Sequence, residues 1–230
     1  MSAIGVEVTW ARCREGAELH DYGSSPPDPK RTHERLDSLK GQASGVWIRN
    51  RSNDLHLYTL RLADLKKPLF ELFINCTSYQ DLASFVREYG IPGPSTYDGL
   101  DAKETEVAAM ESVRNGIRRI MAQNAKGTAY ECASAFNNFV LALKGTALKP
   151  LLGIWQNATT PSLCFQPANL YGYMAMEVAM AISSAAALRT CRHCSAVFIA
   201  GPLTSKRSNA YYCSNRCRVA AQRARVPIFR

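Results

Sequence analysis

Mainly helical α+β is the fold class that the patterning of this chain predicts. Three observations carry that prediction. Apolar residues recur at helical spacing, between recognisable caps, from Leu65 to Leu188. Strand-like alternation is confined to the stretch before Asp64. The last segment, 189–230, has two close cysteine pairs and no acidic residue. The expected organisation is an N-terminal β or irregular region over 1–64, a helical domain over 65–188 and a C-terminal four-cysteine finger over 189–230.

In chain order, Val6, Val8 and Trp10 alternate as a strand does, and so does the stretch from Val46 to Arg49. Asp54 to Leu62 places Tyr58, Leu60 and Leu62 on one face. Together these predict a short antiparallel sheet or hairpin. The segment from Tyr22 to Gly45, rich in turn formers and charge, reads as a mobile loop. Helical signals begin at Pro68, which is suited to a first turn, with Leu69, Phe70, Leu72, Phe73 and Ile74 behind it. Ser78 caps a second helix whose apolar stripe is Leu82, Phe85, Val86 and Tyr89, and Gly90 and Pro92 end it.

Asp101 and Glu104 have capping-box spacing ahead of a third helix, with Val107, Met110, Val113, Ile117, Ile120 and Met121 inward. Arg114, Arg118 and Arg119 on that helix read as a solvated face. Thr128 and Glu131 repeat the capping pattern before a helix with Tyr130, Ala133, Phe136, Val140 and Leu143 as its buried side, closed by Lys149-Pro150. Residues 151–168 read as a connector anchored by Trp155 and Phe165. Asn169 then caps an apolar helix over 170–188. That helix is long enough to span a membrane, but Glu177 stands at its centre. A central acid costs roughly 2.5–3.5 kcal/mol on insertion, and alanine offsets little of that. A buried soluble helix is therefore expected, and no membrane partner.

The net charge of +9 is not spread evenly. Arg189, Arg192, Lys206, Arg207, Arg216, Arg218, Arg223, Arg225 and Arg230 all fall in the tail, so the other 19 basic residues face 19 acidic ones. A balanced body with a basic end points to a polyanionic partner, nucleic acid before membrane. No phosphate-cradling glycine loop and no internal repeat occurs. The start of the chain lacks the pattern of a secretory signal. Cys13, Cys76, Cys132 and Cys164 stand singly in mostly apolar surroundings, as free thiols do in a reducing cytoplasm.

Cys191 and Cys194 form one pair, and Cys213 and Cys217 the other. Two intervening residues let a tight turn aim both thiols of the first pair at one point. The second pair suits a helix start, with one thiol before the first turn and one a turn later. Four thiolates make a tetrahedral zinc site with its coordination shell closed, hence a structural ion, one Zn2+. The alternative, a redox dithiol at Cys191 and Cys194, would call for a βαβ setting that the sequence lacks. His193 lies inside the knuckle and is expected to point outward. Ala196 to Ile199 would begin a hairpin with Phe198 under the metal, and Tyr211 and Tyr212 would supply an aromatic core. A strand pair followed by a ligand-bearing helix is a treble-clef-like arrangement. So small a module needs its metal to fold.

CRHCSAVFI…YYCSNRCRVAAQRAR resembles the C-terminal finger of CGNR-type zinc finger proteins, bacterial regulator-like proteins in which a helical region precedes a cysteine finger ending in a basic helix. The resemblance covers 189–225. It extends in outline over 65–188, through LASFVREYG and the apolar helix before the finger, and does not reach 1–64. Here the signature reads Ser214-Asn215-Arg216-Cys217, with Asn-Arg ahead of the last cysteine. What the resemblance implies is a DNA-binding regulator.

The residues agree with a nucleic-acid partner. After Cys213, Arg218, Gln222 and Arg225 share one helical stripe, and Arg216 and Arg223 a neighbouring one. Arginine and glutamine read base edges and arginine and lysine hold phosphates, so Lys206 and Arg207 on the loop would add backbone contacts. The expected function is a DNA-binding transcriptional regulator, with the helical body sensing a ligand or forming a homodimer. The competing reading is an interaction module whose finger caps the body and meets an acidic protein. Catalysis is not expected. His20, His33 and His56 lie near acids, but no spacing there joins a nucleophile to a base.

Overall fold

The computed structural model describes residues 7–21, 45–52, 54–61, 67–93, 104–124, 128–143, 148–153, 162–167, 169–201, 204 and 206–225. Its elements run β1 (Glu7–Cys13), β2 (Ala17–Asp21), β3 (Val46–Asn50), β4 (Leu55–Arg61), α1 (Leu69–Ile74), α2 (Tyr79–Tyr89), β5 (Glu104–Glu106) and α3 (Val107–Asn124). They continue with α4 (Ala129–Ala142), β6 (Leu148–Gly153), β7 (Ser162–Pro167), α5 (Leu170–Ser183), β8 (Ala187–Thr190), β9 (Val197–Ala200) and α6 (Asn215–Arg225). Six helices and four small antiparallel sheets thus make a mixed α and β protein among the described residues. Residues 22–44 of the expected loop over 22–45, and Trp155, lie outside them. No described helix is long and apolar enough to cross a membrane.

The chain divides into two units. The first comprises residues 1–64, 76–114 and 146–173. In it β1 pairs antiparallel with β4, Trp10 opposite Tyr58, and β3 lies between β2 and β5. Ser78 and Asp81 form a reciprocal capping box at the start of α2, and Gly90, at φ 86, ends the helix. Of the expected stripe, Leu82, Phe85 and Val86 are buried and Tyr89 is half-buried. Long polar side chains fasten this helix to the strands. Trp10 Nε1 donates to the Ile91 carbonyl at 3.1 Å, and Arg87 Nε to that of Ala17 at 2.8 Å.

Residues 151–168 are not the expected connector. β6 and β7 pair there as a hairpin, with Leu151 opposite Cys164 and Pro150 opposite Phe165. In a two-stranded ladder each strand is an edge, the place where a sheet tolerates proline, so the breakers did not preclude strands. Glu104 is also not a capping residue. It lies in β5, which runs directly into α3, and Asp101 is outside the described residues.

The second unit comprises residues 65–75, 115–145 and 174–230. Here α1 is a six-residue helix buried almost entirely, with Leu69, Phe70, Glu71, Phe73 and Ile74 all inside. Pro68 precedes it and offers no side-chain cap. The cap comes instead from Glu177 on α5, whose two carboxyl oxygens accept from the amides of Leu69 at 3.0 Å and Phe70 at 2.9 Å. The other end of α1 is satisfied by Arg118, which donates to the Ile74 carbonyl. In the first unit Arg114 donates likewise to the Cys76 carbonyl. These two arginines are therefore not the solvated face that their spacing suggested, and Arg119 alone of the three is exposed.

Thr128 and Glu131 do form the expected capping box on α4. The inner face of α4 is rotated from the expected one. Cys132 and Phe139 are buried, Phe136, Val140 and Leu143 are half-buried, and Tyr130 and Ala133 are exposed. Gly116 on α3 explains the rotation: a Cβ there would stand 3.0 Å from the Phe139 ring, so the missing side chain is the notch that Phe139 fills. Asn169 caps α5 as expected, accepting from the Gly172 amide at 2.8 Å. The helix stops at Ser183, short of 188. Ala185 takes φ 55, and the amides of Ala186 and Ala185 donate back to Ala181 and Ile182, a Schellman closure built on alanine. Alanine is the best helix former, so composition gave no stop signal.

Candidate metal centre

The finger begins where α5 ends. β8 and β9 pair with Thr190 opposite Val197 and Arg189 opposite Phe198. This is not the expected hairpin beginning at Ala196: that stretch forms the second strand, and the first, β8, precedes Cys191. The turn between the strands carries Cys191 and Cys194. It is closed by the Cys191 amide on the Ala196 carbonyl at 2.9 Å and the Ser195 amide on the Cys191 carbonyl at 3.0 Å. Ser195 stands at φ 59, left-handed backbone that the tight knuckle imposes on a non-glycine residue. Gly201, past the end of β9, adopts φ 145, and a Cβ there would fall 2.8 Å from Ala186 Cα. Only glycine fits that crossing.

Cys213 lies just before α6 and Cys217 in its first turn. Ser214 caps the helix, its Oγ accepting from the Cys217 amide at 3.2 Å and its carbonyl from the Arg218 amide at 3.1 Å. The Arg192 amide donates to the Tyr211 carbonyl at 3.0 Å and so ties the knuckle to the segment that carries Cys213. The four sulfurs lie within 4.8 Å of one another. Cys194 Sγ is 3.6 Å from Cys213 Sγ, which is 3.5 Å from Cys217 Sγ. A tetrahedron with metal–sulfur bonds near 2.3 Å has edges of about 3.8 Å, so the donors fit one tetrahedral thiophilic ion. His193 is exposed and is not one of the donors.

The protonation chemistry of the thiols agrees with that fit. Burial opposes ionisation of Cys191, but the amides of Cys194, Cys213 and His193 outweigh it and hold the thiol down at about 6. Burial and the neighbouring sulfurs of Cys217, Cys194 and Cys191 push Cys213 up to about 12. Sulfurs packed so closely cannot all be thiolates unless a cation sits among them.

Beneath the donors lies a very small core. Cys191, Phe198 and Ala200 are buried, with Ala210, Tyr212, Cys213 and Cys217 packed against them. Phe198 is thus where its position predicted. Tyr211 is not: it is 54% exposed and adds nothing to the expected aromatic core. Glu71 of α1 and Asn75, which caps the end of that helix, support the finger from below. Glu71 Oε2 accepts from the Ile199 amide at 3.1 Å, and Asn75 accepts from the Val197 amide at 2.9 Å while donating to its carbonyl at 2.7 Å. Asn75 pairs with β9 through one donor and one acceptor, as a neighbouring strand would. Sequence reasoning missed Glu71, Asn75 and Glu177. Only Glu177 left a signal, an acid in the middle of an apolar helix.

On α6, Cys217, Val219, Ala220 and Ala221 are half-buried, and Arg216, Arg218, Gln222 and Arg223 are exposed. Arg218 is partly committed, with Nε and Nη2 donating to Asn215 Oδ1 at 3.1 and 2.7 Å. Arg225 belongs to α6, and its side chain lies outside the described residues. Arg207 is exposed on the loop. Lys206 is half-buried, its Nζ 5.8 Å from the Phe198 ring centroid. In the first unit His20 lies 3.3 Å from Glu18, and His56 accepts from Arg12 Nε at 3.0 Å. His33 is outside the described residues.

Comparison of the chain with protein-family profiles and with curated protein sequences finds no match.

Proposed function

We propose that this chain is a DNA-binding transcriptional regulator whose treble-clef-like C-terminal finger holds one structural Zn2+ and presents α6 to DNA. The observation that carries the reading is the position of α6. Its first turn supplies the last of four convergent thiols, and its outer side displays Arg216, Arg218, Gln222 and Arg223. With no acid anywhere in 189–230, no side-chain carboxylate of the finger competes for those cations, and Arg218 is held by the neutral Asn215 amide. Cys191, Cys194, Cys213 and Cys217 would hold the metal, and its role is to fix the angle at which the helix leaves the hairpin. Four sulfur ligands leave no open position for water, which suits a structural ion. Phosphates would be met by Arg207, Arg223 and Arg225, with Lys206 behind them, and base edges by Arg218 and Gln222.

The test is a mobility shift titrated with salt on the metal-loaded protein. Binding through six or more phosphate contacts weakens about 10³-fold or more between roughly 50 and 200 mM salt. The Arg218→Ala, Arg223→Ala, Arg225→Ala triple variant is expected to abolish the shift while keeping its metal. No DNA shift by the parent at low salt, with an acidic protein partner retained by the parent and lost by that variant, would overturn the reading.

A further inference from the structure

Stacked bases in a duplex offer a protein their groove edges, whereas unpaired bases offer their faces. The finger has one feature suited to a face. Tyr211 is 54% exposed, while the adjacent Tyr212 turns into the small core. The Arg192 guanidinium carbon stands over the Tyr211 ring at 3.9 Å from its centroid. The two residues are not joined by flexible side chains alone, because the Arg192 amide donates to the Tyr211 carbonyl at 3.0 Å. Both are also tied to the donor cluster: Arg192 follows Cys191 directly, and Tyr211 precedes Cys213 by two residues. The pair is thus a pre-positioned, cationic aromatic surface on an acid-free module.

We infer that the Arg192–Tyr211 stack is a platform for an unpaired base, so that the nucleic acid taken by the finger includes a single-stranded segment. This rests on the proposed nucleic-acid function and names its substrate class. An aromatic ring accepts the π-face of any base, and an arginine stacked with it adds attraction for the base and its phosphate. The exposed arginines of α6 and Arg207 supply the sequence-independent charge that holds the flanking backbone. The platform adds what α6 alone would lack, a reason to prefer an opened strand over a closed duplex.

The test uses the full-length, zinc-loaded protein with fluorescently labelled oligothymidylate and a mixed-sequence duplex, each of about twenty nucleotides per strand, a length that covers such sites. The single strand is expected to bind at least as tightly as the duplex. Tyr211→Leu is expected to weaken single-strand binding roughly tenfold, the loss typical of truncating a stacking partner, and to leave duplex binding within about twofold. Tyr211→Phe is expected to restore it. In the unaltered protein, a bromouracil-substituted strand is expected to photo-crosslink to Tyr211, a readout independent of whether the leucine variant keeps its metal. Duplex binding with Tyr211→Leu silent on both ligands, or crosslinks only at other residues, overturns the platform and leaves the DNA-binding reading standing. Binding to neither ligand removes both.

Discussion

The helices α1 and α6 sit in the same unit and solve opposite problems. Six residues long, α1 is almost wholly buried, so every unpaired backbone group at its ends must find a partner indoors. Glu177 takes its first amides, and Arg118 and Asn75 take its last carbonyls. By contrast, α6 is anchored on one side by Cys217 and three small or branched residues and is otherwise open to water. Its arginines have no such duty. Arg118 and Arg218 are the same residue type on helices of similar pattern, yet one completes a buried helix end and the other stands in solvent beside Asn215. What a charged side chain is for depends on what lies opposite it, and opposite α6 among the described finger residues there is no acid.

The contrast breaks most sharply at the four-cysteine cluster, where the proposed metal would sit. The core under α6 is three buried residues, too few to hold a module of this size without help. Structural zinc sites supply on the order of 10 kcal/mol or more of folding free energy at neutral pH. Cys213→Ser, or chelation of the parent, is therefore expected to reduce bound metal from one equivalent to none. Hydrogen-exchange protection should vanish from residues 187–225 while the buried parts of α3 and α5 keep theirs. Protection of α6 unchanged in metal-free protein would show that the helix stands on packing alone.

A second prediction concerns the buried end. Burial pushes the Glu177 carboxyl from an ordinary 4.5 up to about 8; the Phe70 and Leu69 amides pull it down, and the Glu71 carboxylate adds to the rise. Glu71 itself is paired with Lys67 at 3.4 Å. Because the folded-state value lies above the unfolded one, the native state keeps a proton that the unfolded chain releases. The contribution of Glu177 is complete below pH 4.5 and is lost as pH rises through about 8. Its size across that window is on the order of 5 kcal/mol. Glu177→Gln removes the titration but keeps only one acceptor for the two amides, its NH2 meeting the other amide donor to donor. The variant should be less stable than the parent near pH 5, with one buried amide unpaired, and should lack its decline toward pH 8, as read by urea unfolding of the metal-loaded proteins at both values. A parallel decline in both would place the pH dependence elsewhere.

Much of this arrangement is legible in the amino-acid sequence. Ser78, Thr128 and Asn169 were legible as caps because capping is local chemistry, settled within four residues. The four cysteines were legible because metal geometry restricts their spacing. What stayed hidden was long-range. Nothing near Asn75 announces that it will pair with a strand 122 positions later. The rotation of α4 depended on Gly116, whose meaning appears only once Phe139 is opposite it. Arg114 and Arg118 fell on a pattern that fits water or a buried carbonyl equally well. The end of α5 was hidden for another reason. Its turn uses alanine where glycine is usual, so composition predicted continuation.

The mildest perturbation asks whether the metal is all that holds the finger in place. Asn75 makes two hydrogen bonds to Val197 and a third, at 2.7 Å, to the Glu71 carbonyl. Replacing it by alanine leaves the Val197 amide and carbonyl without this partner in a half-buried setting. Each neutral bond contributes about 0.5–1.5 kcal/mol, so Asn75→Ala is expected to cost roughly 2 kcal/mol. The metal ligands are untouched, so metal content should stay at one equivalent. The loss should show as faster amide exchange at Val197 and Ile199, with α6 protected as before. If the metal were the sole anchor, β9 would keep its protection in this variant. If β9 and α6 lost protection together, the finger would be one cooperative piece whose hairpin and helix cannot be loosened separately.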